Sequence, residues 1–257
     1  MTKIETLRAL HEGDPFVIPN PWDVGSARVL AGLSFKALAT TSSGFAYTLG
    51  RLDGTVTLDE VTVHIAELNE ATELPVSADL ENGYGPTPQD AARAVTRAAE
   101  AGAAGGSIED WDPLDERIYD MAHAVERIAA AVEAARATGF VLTARAENLL
   151  RDNPDLDDTI ARLKAFEAAG ADVLYAPGLA SVDQVREVCS AVSKPVNVLA
   201  RPNFTFSELA EAGAQRVSVG GGLTWVAVKA FADAATAIRD EGDFSALSAS
   251  VPLRDWF

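Results

Sequence analysis

Apolar and polar positions along the chain follow two alternating rhythms. Short, mostly apolar runs recur at 16–20, 37–42, 75–81, 104–110, 141–147, 173–178, 195–200 and 216–220. Runs of this length predict strands, and their apolar character predicts burial on both faces. Between them lie segments with helical spacing, such as Leu156, Ile160 and Leu163. Their starts are marked in the sequence. Thr57-Leu58-Asp59-Glu60 reads as a capping box. Thr87-Pro88 and Asn153-Pro154 each set a cap residue before proline at the first helical position. Their ends are marked as well. The phrase Glu100-Ala101-Gly102-Ala103 returns as Ala168-Ala169-Gly170-Ala171 and Glu211-Ala212-Gly213-Ala214, with Ala31-Gly32-Leu33 a weaker copy. Glycine just past a last turn can take the left-handed conformation that stops a helix.

Strand and helix alternate without a break, which predicts a parallel sheet. Eight such units in 257 residues predict the α/β class and a closed (β/α)8 TIM barrel, in one domain spanning residues 1–257. An open, doubly wound sheet would usually carry a Gly-rich loop after its first strand. The segment there, Asn20-Pro21-Trp22-Asp23-Val24-Gly25-Ser26, has a single glycine. The tail, residues 243–257, is expected to be an extra helical segment. Its apolar Phe244, Leu247, Val251, Leu253, Trp256 and Phe257 suit packing on the barrel or on a neighbouring subunit.

Composition narrows the function classes. No apolar run reaches the roughly 18 residues of a membrane span, and Met1 to Asp14 lacks the apolar core of a signal peptide. Cys189 is the only cysteine, so no internal disulfide exists. These features predict a cytoplasmic protein. A net charge of -17 with no basic stripe excludes nucleic-acid binding and describes a solvated acidic surface.

In a barrel, chemistry gathers at the carboxyl ends of the strands. Those ends carry Thr41-Ser42-Ser43-Gly44, Asp79-Leu80-Glu81-Asn82-Gly83-Tyr84-Gly85, Glu109-Asp110 and Arg145-Ala146-Glu147-Asn148, with Asn197 on strand seven. Alternation along a strand predicts that Asp79 and Glu81 share a side, where Glu109 can join them. Three converging carboxylates repel one another. A hard cation such as Mg²⁺, which takes oxygen ligands and keeps several waters, relieves that repulsion. Arg145, on the next strand, cannot be a ligand, and its planar fork suits a substrate carboxylate. The bland alternative is a set of rim ion pairs neutralised by Arg145; the constellation as a whole favours function.

Other chemistries fit less well. His11, His64 and His123 all fall away from strand carboxyl ends, which argues against a zinc site or a Ser-His-Asp triad. No lysine falls at such an end either, which argues against a Schiff base. Cys189 reads as a structural thiol. Gly220-Gly221-Gly222 is either an anion-binding set of backbone N–H groups or a tight turn.

The strand ends resemble those of the isocitrate lyase and phosphoenolpyruvate mutase superfamily, over about residues 20–240. The resemblance rests on Thr41-Ser42-Ser43-Gly44-Phe45-Ala46-Tyr47-Thr48-Leu49-Gly50 with Asp53, on Asp79 to Gly85, on Gly106-Ser107-Ile108-Glu109-Asp110 and on Leu142-Thr143-Ala144-Arg145. It implies a Mg²⁺ (or Mn²⁺) site with Asp79 a direct ligand, Glu81 and Glu109 binding directly or through water, and Asp53 in the outer shell. It implies that Ser43, Gly44 and Phe45 hold the substrate carboxylate, with Arg145 and Asn197 also on the substrate side and Arg145 and Glu109 the catalytic groups. It further implies a homo-oligomer, a dimer or a tetramer, with a C-terminal helix exchanged between neighbours.

Three departures shape the expectation. Glu81 stands where the family usually has Asp. The lyases' Lys-x-Cys-Gly-His loop is replaced by Asp110-Trp111-Asp112-Pro113-Leu114-Asp115-Glu116-Arg117. Pro177 occupies the position of a lyase Glu or a mutase His. The expected function is therefore Mg²⁺-dependent cleavage of a C–C or P–C bond in a small 2-oxo acid, oxaloacetate-like or phosphonopyruvate-like, leaving an enolate. Tyr47, Asp112 and metal-bound water are the candidate proton donors. The alternatives are a C–C lyase of 2-hydroxy di- or tricarboxylates, a mutase-like phosphoryl transfer, and a metabolite-binding barrel without turnover.

Overall fold

Eight parallel strands form one sheet in the computed structural model, which describes residues 1–151, 153–248 and 250–257. The strands are β1 (Phe16–Ile18), β2 (Leu38–Ala39), β3 (Val76–Asp79), β4 (Gly105–Glu109), β5 (Trp111–Asp112), β6 (Arg117–Ile118), β7 (Val141–Arg145), β8 (Val173–Tyr175), β9 (Val196–Leu199) and β10 (Arg216–Ser218). The helices are α1 (Lys3–Glu12), α2 (Val24–Gly32), α3 (Ser42–Thr48), α4 (Leu58–Ala71), α5 (Pro88–Glu100), α6 (Met121–Thr138), α7 (Leu156–Ala169), α8 (Val182–Ala191), α9 (Phe206–Glu211), α10 (Gly222–Glu241) and α11 (Leu253–Trp256).

The sheet runs β1-β10-β9-β8-β7-β4-β3-β2. Its two ends meet at a seam, where the Ala39 N–H donates to the Pro19 carbonyl (3.0 Å) and the Asn20 side-chain amide donates to the Thr40 carbonyl (2.9 Å). The predicted (β/α)8 barrel is what forms, and every barrel strand lies within its predicted segment. β5 and β6 pair as a small antiparallel hairpin in the loop after β4.

Alternation along the strands divides two environments. Ile108, Leu142, Ala144, Leu174, Val196, Val198 and Val217 belong to the main buried cluster between barrel and helices. Helix α1 closes the amino-terminal end, with Leu7 buried among Phe16, Ala37, Ala104, Val141 and Val173. Above that plug, Ser77, Ser107, Asn197, Arg216 and Ser218 line a cavity. Barrel interiors are usually filled by bulky branched residues; small polar ones leave room here.

The three strong copies of the repeated phrase end their helices as predicted, with Gly102, Gly170 and Gly213 at φ of 95°, 105° and 103°. The weaker copy differs. Gly32 is the last residue of α2, and the positive φ falls on Ser34 (65°). The capping boxes at Thr57 and Thr87 form. The Asn153-Pro154 cap is corrected: α7 starts two residues later, because the Asp155 carboxylate accepts from the N–H groups of Asp157 and Asp158.

The end of the tail packs on its own chain. Trp256 lies against Gly32, and the Arg28 guanidinium sits 5.4 Å from the centre of the Phe257 ring. Helix α10 leaves Trp225, Val226 and Phe231 exposed, as are Phe244 and Leu247 beyond it. Among the described residues, no helix is long and apolar enough to cross a membrane.

Candidate active site

The cavity opens at the carboxyl end of the barrel and has a volume of about 180 Å³. That is below the ~300–1,000 Å³ of sites for drug-sized ligands, so its occupant is small. Asp53, Asp79, Arg145, Tyr175, Pro177 and Asn197 are among its lining residues.

Arg145 organises the mouth. Its Nη1 donates to Asp79 Oδ1 (3.0 Å), its Nε and Nη2 both donate to Glu147 Oε1 (2.9 and 2.7 Å), and its Nη2 forms an ion pair with Glu109 Oε2 at 3.1 Å. The Tyr175 ring centre lies 5.1 Å from its guanidinium carbon, within cation–π range. Burial opposes the Arg145 charge, but the fields of Glu147, Glu109 and Asp79 more than offset it and hold the group protonated. Burial, then the charge of Glu147, pushes the Glu109 carboxyl well above the usual range. All three nitrogens of the Arg145 fork are bound to acids in this structure.

Each acid has a local reason for its place. Asp79 ends β3, where its Oδ2 accepts weakly from the Ser42 N–H (3.3 Å) and its own N–H is held by the Thr40 hydroxyl (2.7 Å). On β4, Glu109 faces the mouth while Asp110 faces the helices and pairs with Arg162 (3.0 Å). Asp110 also accepts the Glu147 N–H (2.8 Å), which sets Glu147 beside Arg145.

The alternation argument for Glu81 is corrected. The ladder ends at Asp79, and Glu81 has φ of 48°, a left-handed conformation that L side chains rarely take. Its side chain lines a neighbouring cleft with Val56, Tyr84 and Arg97. Burial, then Asp79 and Asp53, pushes its carboxyl up to about 8. Its Oε1 is buried without a hydrogen-bond partner, as is the Tyr84 hydroxyl. An uncommon backbone conformation and a buried oxygen without a partner thus meet at one residue.

The substrate-side residues are spread more widely than expected. Ser43 lines the cavity, but Gly44 and Phe45 do not. All three lie in the first turn of α3, not in a loop. The Phe45 N–H is taken by the Thr41 carbonyl (3.0 Å), and the Phe45 ring stacks on His64 at 3.9 Å. Asn197 is 1% exposed and binds protein groups: its Oδ1 accepts from Arg216 Nε (2.8 Å) and its Nδ2 donates to the Ser218 hydroxyl (3.0 Å). Asp53 stands exposed at the mouth.

Two proton-donor candidates lie outside the cavity. Tyr47 packs edge-on against Trp225 at 6.0 Å, and the buried Asp112 carboxylate accepts the Leu114 N–H inside the β5–β6 turn. Neither lines the cavity. In the glycine triplet Gly220 and Gly221 turn beside the cavity and Gly222 opens α10; the Val219 and Gly220 N–H groups both donate to Asn20 Oδ1 (2.9 Å each).

Sequence reasoning assigned no role to Glu147, Tyr175, Asn20 or Arg216. For Glu147 a signal existed, since it stands two residues after Arg145 at a strand's carboxyl end. A lone charge opening the apolar β10 was the signal for Arg216.

Among the described residues, no three His, Cys, Asp or Glu side chains converge on a common point ready to hold an ion. The donor set nonetheless fits a hard divalent cation. It is all oxygen, it includes the Oε1 of Glu81 that has no hydrogen-bond partner, and Asp53, Asp79, Glu81, Glu109 and Glu147 outnumber Arg145 and the half-exposed Arg151. Mg²⁺ needs few direct protein ligands.

The family model for phosphoenolpyruvate phosphomutase matches residues 7–239. A crystal structure of a Burkholderia cenocepacia J2315 protein, provisionally described as a lyase/mutase, superimposes with a TM-score of 0.95 at 52% identity, covering 99% of this chain and 94% of that one. The 2-methylisocitrate lyase of Escherichia coli (strain K12) is 31% identical over 218 residues, 79% of this chain and 73% of that protein. An oxaloacetate acetylhydrolase in complex with its product oxalate superimposes with a TM-score of 0.90 at 26% identity, covering 99% of this chain and 93% of that one. The chain thus belongs to the phosphoenolpyruvate phosphomutase family, within the isocitrate lyase and phosphoenolpyruvate mutase superfamily, and is an enzyme of that type.

Proposed function

We propose that the protein cleaves a C–C or P–C bond of a small 2-oxo acid, oxaloacetate-like or phosphonopyruvate-like, with the help of Mg²⁺ or Mn²⁺. One observation carries this reading: an excess of carboxylates surrounds Arg145 at the mouth of a small, polar cavity. Asp79, with Glu81, Glu109 and Asp53 around it, would hold the cation, which would supply Lewis acidity to the substrate's oxygens. Arg145 exchanges one of its acids for the substrate carboxylate and orients it. As the bond from C3 to its carboxylate carbon or phosphorus breaks, its electron pair becomes the C2=C3 bond and the oxo oxygen takes the negative charge, giving an enolate; carbon dioxide leaves, or the phosphoryl group passes to water, and C3 then takes up a proton. The proton donor belongs among groups that line the cavity. Tyr175 is the candidate there, kept neutral because burial pushes its hydroxyl up to about 12. The 2-hydroxy tricarboxylate reading is less favoured, because the cavity is small and Pro177 supplies no acid.

The test is a screen of 2-oxo acids, oxalate and phosphonates with and without Mg²⁺, read as melting temperature, since ligand binding stabilises by mass action. Product analysis for pyruvate, oxalate and released phosphate follows. Turnover of no 2-oxo acid by protein that binds oxalate with Mg²⁺ identifies a binding barrel instead.

Glu81 sets a pH dependence for the metal. A carboxylic acid must lose its proton to ligate, so binding releases a proton. With that group at about 8, Mg²⁺ affinity is expected to rise toward pH 8 and level off above it. Calorimetric titration at pH 6, 7 and 8 measures this, and an affinity flat across that range refutes the role of Glu81.

The exposed Trp225, Val226 and Phe231 of α10 suit a subunit contact, and we propose a homo-oligomer. Light scattering should report a mass of two or four chains, and Phe231→Glu should lower it. A monomeric native protein rules this out.

A further inference from the structure

Arg216 is a buried cation that the chemistry at the mouth does not use. It opens β10, is 4% exposed, and lines the same cavity from its floor. Its Nε donates to Asn197 Oδ1 (2.8 Å), its Nη2 to the Thr143 hydroxyl (3.0 Å), and its Nη1 lies 3.3 Å from His11 Nε2. Each of these partners is neutral. His11 is held uncharged, pushed down to about 3 by burial and then by Arg216 itself. Among the described residues, no carboxylate pairs with Arg216. Three of the five N–H donors of a guanidinium are thereby used, and two remain.

Burying a cation without an anion is costly. The contrast with Arg145 is sharp, since Arg145 holds three acids. Neutral residues of similar size would fill the floor at lower cost, so the charge calls for an anion that enters through the cavity. Geometry allows it. Thr143 and Arg145 sit two residues apart on the inward face of β7, roughly 7 Å along the strand. The Arg216 fork is bonded to Thr143, so the cavity has a cation at its floor and another at its mouth.

We propose that Arg216 binds a second carboxylate, so that the substrate is a small dicarboxylate whose distal acid group points to the barrel floor. This deepens the reading of a 2-oxo acid at the mouth and rests on it. Asn197 and Thr143 act as positioning residues that hold the fork.

Malate and lactate test this, because they differ by the second carboxylate alone; 2-hydroxy-3-phosphonopropanoate puts a phosphonate in its place. Binding is measured by calorimetry with Mg²⁺ present, alongside oxalate. A charged hydrogen-bonded contact of this kind corresponds to at least about tenfold in affinity. The native protein should therefore bind malate at least about tenfold more tightly than lactate. Arg216→Met should abolish the difference and Arg216→Lys retain part of it. Tighter binding of the phosphonate than of malate reassigns the distal group to a phosphonate and overturns the dicarboxylate. A native malate-to-lactate ratio near one, or a ratio unchanged in the variants, overturns the role of Arg216. The native comparison stands even where a variant does not fold. If oxalate binds and malate shows no preference, only this inference fails; if no acid binds, the 2-oxo-acid reading fails with it.

Discussion

Asp79→Ala is expected to lower turnover by at least about 10³-fold while the barrel stays folded. The size of the effect follows from what Asp79 would hold. It is the mouth acid that both lines the cavity and anchors to Arg145, and the proposed cation depends on it first. Losing one preorganised electrostatic contact at a reacting centre costs about 10²–10³ in rate, and losing the cation removes a further contribution. Folding should survive for local reasons. The Asp79 side chain is part-exposed, its backbone N–H is fixed by Thr40, and Arg145 keeps Glu109 and Glu147 as partners. Removing one of several crowded acids also relieves the repulsion that raises Glu81 and Glu109. Steady-state assays on the 2-oxo acid found in the screen, with a melting curve as the control, decide the matter. A fully active, folded variant removes the metal from the mechanism.

The fold was legible because its punctuation is chemical. Glycines after helices and capping threonines before them delimit the units whatever the tertiary context, and eight units of this length have few ways to pack. Boundaries were less legible where the chain leaves the sheet to build the site. Segments 37–42 and 75–81 look like strands to their ends, yet Ser42 starts a helix and Glu81 turns left-handed. Hydropathy carries no record of either turn. Asp79, Glu109 and Arg145 were legible because strand ends in a barrel point at one place. Arg216 was not, since an arginine at the start of a strand looks like a solvated end until α1 is seen to cover it. The Ser43-Gly44-Phe45 reading came from resemblance alone, and the helix that uses the Phe45 N–H could not be foreseen from the motif.

Arg145→Met should be the most destabilising of the substitutions considered, and its cost should grow with pH. The variant leaves Asp79 and Glu109 without a cation and Glu147 with only the half-exposed Arg151 at 4.0 Å; Glu147 is 1% and Glu109 8% exposed at the side chain. Removing one partner from a buried ion pair typically costs about 3–5 kcal/mol, and here three acids lose Arg145. The sign with pH follows from the protonation states. Glu81, at about 8, and Glu109 are already raised in the native protein, whereas an unfolded Glu titrates near about 4.3. Between those limits the folded state binds more protons than the unfolded one, so stability falls as pH rises. Without Arg145, which lowers both groups, their carboxyls rise further and the window widens. The gap between native and variant should therefore stay level up to about pH 7 and widen from there to about pH 9, as Glu81 ionises in the native protein before it does in the variant. Urea unfolding at the two pH values measures it. Arg145→Lys keeps the charge and loses the planar fork, so it should recover most of the stability and little of the activity. A methionine variant as stable as the native protein at pH 8 would show that the mouth acids do not depend on Arg145, and the electrostatic account of the site would fail with it.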